Sequence, residues 1–272
     1  MSDSDATHGP KGTRIISRVL PPAIRFWLST QLDQVEELDF QIRARDRQVL
    51  SGHIPEIALS AQKAVYEGIH LSCAAVTASG IRINLGQVIR RQPLRLLTSF
   101  PVSGRVILSE ADLNTSLQSP LLGEGLYDFL QLLAQSQPHA NGLSDSLNQL
   151  PQRTVLTHYA PSASIEANHV ILRLHPRPHQ IVAAVALKTQ LSIGNGHQLC
   201  LDNPHWLMPL TEGGAIPSSA PLPKLEGFAI DLGATVSLTT CEVAAGQIIL
   251  AGTVQIQPAT VTDNHSPELS EQ

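Results

Sequence analysis

The sequence predicts an α+β protein in which a twisted antiparallel β-sheet wraps around two or three amphipathic helices. Several segments alternate apolar and polar residues with a period of two, which is typical of strands that bury one face. Other segments repeat apolar residues at helical spacing, which is typical of helices that pack along one side. At residues 101–122 the first pattern changes directly into the second, so we expect a strand to lead straight into a helix.

Ser109 is the point at which the strand period changes to a helical period. Ser109 and Asp112 fit an S-x-x-D capping box, in which the serine hydroxyl accepts a hydrogen bond from an N–H group of the first turn. Pro120 ends this helix or begins the next, because proline fits the first turn of a helix and not its interior. We therefore expect a strand, a capped helix and a second, more apolar helix in succession.

An earlier amphipathic segment covers residues 14–35. Pro21 and Pro22 are expected to split it into a short lead and a helix that begins near Pro22. The early part of the segment is basic and its end is acidic. We interpret it as a helix docked on the core; the alternative is an interfacial helix that places Trp27 and the arginines at an anionic lipid surface.

The remaining strand patterns fall into two groups. The first group reads as an antiparallel meander with one apolar face, interrupted by turn residues at 51–52, 67–68 and 79–80. Its segments are residues 38–44, 56–62, 69–73 and 81–85. The second group comprises residues 170–174, 181–187, 199–201, 228–232, 236–238 and 248–256. Residues 181–187 are apolar on both faces, so we expect a central strand there.

These patterns divide the chain into two modules. The first module, residues 14–135, holds the helix, the antiparallel meander and the strand-to-helix stretch. Residues 136–152 read as a polar linker or loop. The second module, residues 153–257, is mostly β and is expected to pack on the first. Residues 1–13 and 258–272 are expected to be disordered tails.

The composition narrows the classes of function. A net charge of −5 argues against a general nucleic-acid-binding protein, since such proteins carry a basic footprint. The three cysteines are widely spaced, which favours buried thiols in a reducing compartment over a disulfide framework. No apolar run has the length of a membrane span, and the N-terminus lacks the apolar region of a secretory signal. We therefore expect a cytoplasmic protein whose contact with membranes, if any, is peripheral.

The sequence offers no catalytic motif. It contains no G-x-S-x-G elbow, P-loop, G-x-G-x-x-G fingerprint or H-E-x-x-H motif. The prolines between His175 and His179 forbid the helix that would place both side chains on one face. His197, Cys200 and His205 read as parts of a strand and a turn, so we interpret them as structural or surface residues. We expect no enzymatic activity, no catalytic or metal-ligating residues and no cofactor.

Four segments resemble the LmeA-like phospholipid-binding proteins, and most of all the shorter cyanobacterial members of that family. The segments are residues 15–28, 51–72, 83–97 and 101–122. The resemblance extends over residues 14–256 and is stronger in the first half. It implies a tubular lipid-binding fold, in which a curved antiparallel sheet wraps a long helix around an apolar groove. It also implies phospholipid binding, a role in membrane or envelope biogenesis, and no catalytic residues.

Residues and resemblance together lead us to expect non-catalytic binding, with or without transfer, of a phospholipid or similar amphiphile in an apolar groove. The expected lining residues lie on the helices, and they are Ile24, Trp27, Leu28, Leu113, Leu117, Leu121 and Leu126. The expected head-group contacts are Arg90, Arg91 and Arg95. The alternative is a scaffold whose apolar helical face, along residues 122–133, binds a protein partner or a second copy of the chain.

Overall fold

The computed structural model describes residues 11–136, 155–179, 184–207 and 219–258. The helices in these ranges are α1 (Lys11–Gln31), α2 (Asp46–Leu50), α3 (Leu85–Ile89), α4 (Glu110–Ser116), α5 (Pro120–Ser136) and α6 (Val155–His158). The strands are β1 (Glu37–Arg43), β2 (His53–Tyr66), β3 (Ile69–Arg82), β4 (Phe100–Ser109), β5 (Tyr159–Glu166), β6 (His169–Pro176), β7 (Val185–Gly194), β8 (Gln198–Leu207), β9 (Ser219–Pro221), β10 (Ala229–Asp231), β11 (Val236–Ala244) and β12 (Gln247–Ile256). No helix in the described part of the chain combines the length and the apolarity that crossing a membrane requires.

The strands form two antiparallel sheets. The first sheet has the order β1-β2-β3-β4-β12-β11 and curls into a half-barrel. The second sheet has the order β10-β8-β7-β6-β5, and β9 also pairs with β8. The predicted α+β class, with an antiparallel sheet and helices, is confirmed.

The two sheets do not coincide with the two modules expected from the sequence. Strands β11 and β12 lie in the C-terminal module of residues 153–257, yet they complete the first sheet. Strand β12 pairs with β4 along its whole length, from Gln247 to Ile256. The expected tails and linker fall largely on residues 1–10, 137–154 and 259–272, which lie outside the described residues.

Two local expectations from the sequence differ from the structure. Residues 79–80 are not a turn, because β3 runs unbroken from Ile69 to Arg82. Gly80 has a φ of +67°, a conformation that glycine adopts within a strand without strain. Helix α1 runs through Pro21 and Pro22 instead of beginning near them. Each proline removes a helical hydrogen bond, but its fixed φ is compatible with the helix.

The sequence pattern did not predict β5, the strand at the edge of the second sheet. Its buried side chains alternate, but alanine and proline supply two of them, which weakens the strand signal. Pro161 is tolerated because an edge strand does not need every N–H group for pairing. The expected central strand is present as β7, which begins at Val185 and lies between β6 and β8.

Buried apolar side chains form three clusters. In the α1 cluster, helix α1 packs against one end of the first sheet, with Leu20, Ile24, Ile54, Ile57, Ile81 and Phe100 in contact. In the α5 cluster, helix α5 packs against the second sheet, with Leu126, Phe129, Leu130, Leu133, Tyr159, Leu174 and Leu187 in contact. The junction cluster joins the two sheets and includes Ala163, Ile165, Val170, Val243 and Ile248, with Leu113, Leu117, Leu191 and Leu250 packed against it.

The N-terminus of α4 is fixed by a polar network with β3. The Ser109 hydroxyl accepts a hydrogen bond from the Asp112 N–H at 3.2 Å, which confirms the predicted cap. The Asp112 carboxylate does not return to the Ser109 N–H, as it would in a complete capping box; it accepts hydrogen bonds from the hydroxyls of Ser109 and Ser72. The Ser109 N–H donates instead to the Ser72 hydroxyl at 3.0 Å. The cap therefore ties α4 to a neighbouring strand as well as to its own first turn.

The other side of α4 covers the free edge of β5. Glu110 accepts a hydrogen bond from the Ile165 N–H at 2.8 Å. Asn114 both accepts from the Ala163 N–H and donates to the Ala163 carbonyl, each at 2.8 Å. Gln118, one turn further on, donates to the Pro161 carbonyl at 3.3 Å. Side chains four residues apart on one helix thus pair with alternate residues of an edge strand, which otherwise exposes unpaired backbone groups.

We expect Asn114→Ala to destabilise the protein by about 1–3 kcal/mol, because it leaves the N–H and carbonyl groups of Ala163 without partners at a partly buried edge. Chemical unfolding would measure the change. The matched control is Thr115→Ala on the exposed side of the same helix, where the hydroxyl bonds only within the helix. Equal stability of the two variants would contradict the role assigned to Asn114.

Asp112 should make stability depend on acidic pH. Burial raises the pKa of this carboxyl, but hydrogen bonds from Ser109 and Ser72 outweigh burial, so the pKa lies below its ordinary value. A carboxyl with a lowered pKa in the folded state stabilises the protein above the unfolded pKa of about 3.9, and this contribution is lost as the pH falls through the folded pKa.

Unfolding midpoints measured across this acidic range should therefore fall less steeply for Asp112→Asn than for the unaltered protein. Asp39→Asn, at an exposed position of β1, is the control and should leave the slope unchanged. A slope that Asp112→Asn does not alter would show that the carboxylate contributes nothing to the network.

Candidate functional site

One face of the first sheet is apolar from edge to edge. Three rows of cross-strand partners run across all six strands, and none of their side chains is polar apart from one thiol. The middle row is Phe40, Leu59, Val76, Gly104, Gly252 and Leu238. The flanking rows are Ile42, Ile57, Ala78, Val102, Val254 and Val236, and Leu38, Ala61, Ala74, Val106, Leu250 and Cys241.

The opposite face is polar and exposed over much of its area, although Ile249 of β12, paired there with Ile107, is buried. Its residues alternate with the apolar rows and include Gln41, Ser60, Thr77, Ser103 and Arg105, all of which are exposed. Arg43 and Glu56, which are cross-strand partners on this face, form an ion pair at 2.7 Å. Because an exposed pair of this kind contributes little to stability, this face marks the outside of the sheet and not a site.

Among the described helices, α1 and α4 pack at the two ends of the apolar face. At one end α1 packs on Ile57, with Phe40, Ala78 and Val102 partly buried against the same cluster. At the other end α4 and the second sheet pack around Ile248, with Leu250 beside it. Between these ends Leu59, Val76 and Leu238 are only partly buried and belong to neither cluster. We call this uncovered strip the groove: Leu59, Ala74, Val76, Gly104, Val106, Leu238 and Gly252.

Two paired glycines form the floor of the groove. Gly104 and Gly252 are cross-strand partners in neighbouring strands β4 and β12. A Cβ atom at Gly104 would lie 2.6 Å from the Val76 Cα, and one at Gly252 would lie 2.9 Å from the Leu238 Cα. Because such contacts are too short, the sheet can curl this tightly only where side chains are absent. The two glycines thus allow the sheet to curl, and they place no side chain in the groove.

The groove has room for an acyl chain along its length. The groove crosses five strands, and at a spacing of about 4.8 Å these extend over about 19 Å. An acyl chain in a bilayer spans about 15 Å, since two leaflets share a hydrocarbon core of about 30 Å. The β7–β8 turn closes one side, where the Leu238 N–H donates to the Gly196 carbonyl at 2.5 Å. The predicted hairpin turn at Asn195 and Gly196 is present, with positive φ at both residues.

Two side chains beside the apolar face, Arg25 and Cys241, carry a charge or a reactive group. Arg25 of α1 is exposed, and its guanidinium lies over the Phe40 ring at 5.5 Å from the centroid. It therefore places a cation beside the apolar face. Cys241 points to the same face, and burial raises the pKa of its thiol. A raised pKa disfavours the thiolate, which is the reactive form of cysteine.

The helical residues expected to line a groove lie in three different places. Ile24 is buried in the α1 cluster and Leu28 packs against it, whereas Trp27 is half-buried. Leu113 and Leu117 pack against the junction cluster. Leu126 is buried in the α5 cluster. The side chain of Leu121 lies outside the part of the chain that the structure describes.

The three arginines expected to contact head groups lie together at one end of the molecule. Arg90, Arg91 and Arg95 are exposed and follow α3, which packs beside α1. Arg90 also lines a cavity of about 490 Å³ with Leu50, Ile83, Leu85 and Leu97. This cavity is separate from the groove, whose residues do not line it.

The structure brings no metal-binding cluster together in the described ranges. Within residues 11–136, 155–179, 184–207 and 219–258, no group of three or more His, Cys, Asp or Glu side chains could hold a metal ion. His197 lies 4.0 Å from Asp231, on β10, and His205 bonds to the Asn203 carbonyl through its Nδ1. Local contacts of this kind account for these histidines without a ligand.

An apolar, partly open face on a curled sheet is typical of a site for lipid tails. The LmeA-like phospholipid-binding family model matches residues 11–253, which is nearly the whole chain. The chain belongs to this family. No curated protein and no solved structure is significantly similar to it. Membership in the family supports a lipid as the ligand and agrees with the resemblance seen in the sequence.

The groove residues come from strands, whereas the predicted lining residues all lie on helices. Those helical residues, Ile24 and Trp27 as well as the leucines, were predicted because their spacing marks one apolar side. The strand signal was present, because Leu59, Val76 and Leu238 alternate with small or polar residues. The alternating pattern could not show that α1 and α4 leave this part of the face uncovered, because that depends on where the two helices dock.

We expect Gly104→Ala to destabilise the protein by about 1–3 kcal/mol, because its Cβ would collide with the backbone of β3. The matched control is Gly86→Ala in α3, where a Cβ would meet open space. That control should be neutral or stabilise by up to about 1 kcal/mol. Thermal unfolding of both variants would test this, and a neutral Gly104→Ala would contradict the assignment of the glycine pair to sheet curvature.

Proposed function

We propose that the protein binds a phospholipid, or a similar amphiphile, with its acyl chains against the groove of the first sheet. The observation that supports this is that the middle of the apolar face is only partly buried and belongs to neither the α1 cluster nor the junction cluster, which lie at its two ends. Monomeric proteins rarely leave a continuous apolar strip exposed unless something binds there. Burial of acyl chains supplies about 0.8 kcal/mol per CH₂ group, so a single chain gives substantial affinity.

In this proposal Arg25 lies near the lipid head group. Its guanidinium is exposed and stands at the edge of the apolar face, over the Phe40 ring. An arginine can donate two parallel hydrogen bonds to a phosphate, which is the group that phospholipids share. The head group would thus remain in water at the α1 end, while the acyl chain extends toward Leu238 and Val106.

Binding occurs without catalysis in this proposal. The three rows of the apolar face hold no acid, base or hydroxyl group, and the thiol of Cys241 has a raised pKa. A protein of this kind serves as a carrier or a holder of lipid. Transfer between membranes, and a role in membrane or envelope biogenesis, follow from such binding as further parts of the proposal.

The scaffold alternative has less support from the structure. It requires the apolar stripe of α5 to face a partner, yet Leu126, Phe129, Leu130 and Leu133 are buried against the second sheet. Exposing this stripe would take α5 away from its own core. The groove is more accessible to a ligand than this stripe of α5, whose apolar side chains are buried.

A large side chain in the groove should block lipid. Val76→Trp fills the middle row, whereas Thr77→Trp places the same side chain on the exposed outer face of the same strand. Native mass spectrometry of the full chain, and extraction of its bound lipid, should show that Val76→Trp binds lipid with an affinity at least about tenfold lower, a loss of about 1.4 kcal/mol or more. Thr77→Trp should retain lipid. Equal lipid in both variants would place the ligand elsewhere, and lipid-free unaltered protein that takes up none would overturn the proposal.

Bound lipid should also protect one cysteine and not another. Cys241 faces the groove, whereas Cys73 pairs with Ile107 on the opposite face of the same sheet. Single-cysteine variants, Cys73→Ser/Cys200→Ser and Cys200→Ser/Cys241→Ser, isolate the two thiols. Lipid should slow maleimide labelling of Cys241 and leave labelling of Cys73 unchanged. Labelling of Cys241 should accelerate as the pH rises toward its raised pKa, because the thiolate reacts.

A further inference from the structure

A second exposed apolar surface lies at the α1 end of the molecule, away from the groove. Three large apolar side chains are exposed there: Leu50 at the end of α2 (53%), Ile89 at the end of α3 (45%) and Leu97 in the following loop (57%). Leu50 and Leu97 line the cavity of about 490 Å³ together with Arg90. We call the surface formed by α2, α3 and residues 90–99 the basic pole.

The charge of the basic pole is opposite to that of the whole chain. Residues 85–99 contain three arginines and no acidic residue, and α2 adds one acidic and one basic residue, whereas the whole chain has a net charge of −5. Arg90, Arg91 and Arg95 are exposed, and none of them takes part in an ion pair with a described side chain. Cations that are not neutralised within the protein are free to attract an anionic surface.

The loop of the basic pole is held in place. Leu94 and Leu96 pack against the α1 cluster, so the residues between and after them, Arg95 and Leu97, point outward. Asn84 accepts a hydrogen bond from the Arg95 N–H at 2.7 Å and donates to the Pro93 carbonyl at 3.0 Å. Because the loop is already ordered, binding through its outward side chains costs little conformational entropy.

We propose that the basic pole docks on an anionic lipid surface. Leu50, Ile89 and Leu97 enter the boundary between head groups and acyl chains, and Arg90, Arg91 and Arg95 contact lipid phosphates. Exposed leucines beside unpaired arginines suit a membrane, which offers an apolar phase and anionic charge together. A nucleic acid offers only the charge. The proposal rests on the proposed lipid-binding function, since docking at a bilayer brings the groove to its source of lipid.

Vesicle binding by the full chain tests this proposal. Cosedimentation should detect binding to vesicles of phosphatidylcholine with phosphatidylglycerol, weaker binding to phosphatidylcholine alone, and loss of binding as salt rises. Arg90→Glu/Arg91→Glu should weaken binding to the anionic vesicles at least about tenfold. Its matched control is Arg105→Glu, at an exposed position on the outer face of the first sheet, which should bind as the unaltered protein does.

A second pair of variants tests the apolar contribution. Ile89→Ser/Leu97→Ser should also weaken vesicle binding, whereas Ile230→Ser should not, although Ile230 is 43% exposed on the second sheet. Light scattering of each variant would show whether its oligomeric state has changed. A change confined to the pole variants would make this surface an interface between copies of the chain and would overturn the proposal.

The two proposals fail in different ways. The pole variants should still take up a short-chain phospholipid from solution, while Val76→Trp should lose that uptake and still bind anionic vesicles. Equal binding to neutral and anionic vesicles, no binding to either, or equal effects of Arg90→Glu/Arg91→Glu and Arg105→Glu would each overturn docking by the basic pole. Loss of phospholipid uptake in Val76→Trp tests only the proposed binding of lipid in the groove.

Discussion

The pairing between α4 and the free edge of β5 is the constraint on which the rest of the structure depends. Glu110 and Asn114 satisfy backbone groups of Ile165 and Ala163, while the cap at Ser109 ties the same helix to β3 of the first sheet. The turn between β11 and β12 adds two backbone bonds, since Gly246 accepts from the Glu110 N–H and donates to the Ile165 carbonyl. One short helix therefore fixes the two sheets relative to each other and protects an edge that would otherwise pair with other chains.

The groove follows from this arrangement. Because α4 is held at the junction of the sheets, it covers only the end of the apolar face near Ile248, and α1 covers the other end near Ile57. In the described part of the chain neither α1 nor α4 packs on the middle, where Gly104 and Gly252 allow the sheet to curl. An ordinary core would be closed by a side chain or helix at this point, since voids in protein interiors are costly. The chain belongs to a phospholipid-binding family, and this strip is where we propose that the lipid binds.

Residues 101–122 show which structural features a local sequence pattern can predict and which it cannot. The strand, its cap at Ser109 and both following helices were predictable, because alternation, capping chemistry and proline act over a few residues. The hydrogen bond between Asp112 and Ser72 could not be predicted in this way. Ser72 is forty residues away in the chain, and the pairing of β3 with β4 brings it to the helix. Strand β5 was not predicted for a related reason. Its small residues and Pro161 are tolerated because α4 covers this edge, and the local sequence of β5 does not show that α4 packs there.

The sequence by itself determined the class of fold, the apolar face of each strand and the family, since these depend on residue periodicity and on motifs within short segments. The tertiary structure alone decided which part of the apolar face remains open. That depends on the pairing of β12 with β4, more than 130 residues apart in the chain, and on where α1 and α4 dock. Leucines that pack a core and leucines that would bind an acyl chain are chemically the same, so only their burial distinguishes Leu126 from Leu59.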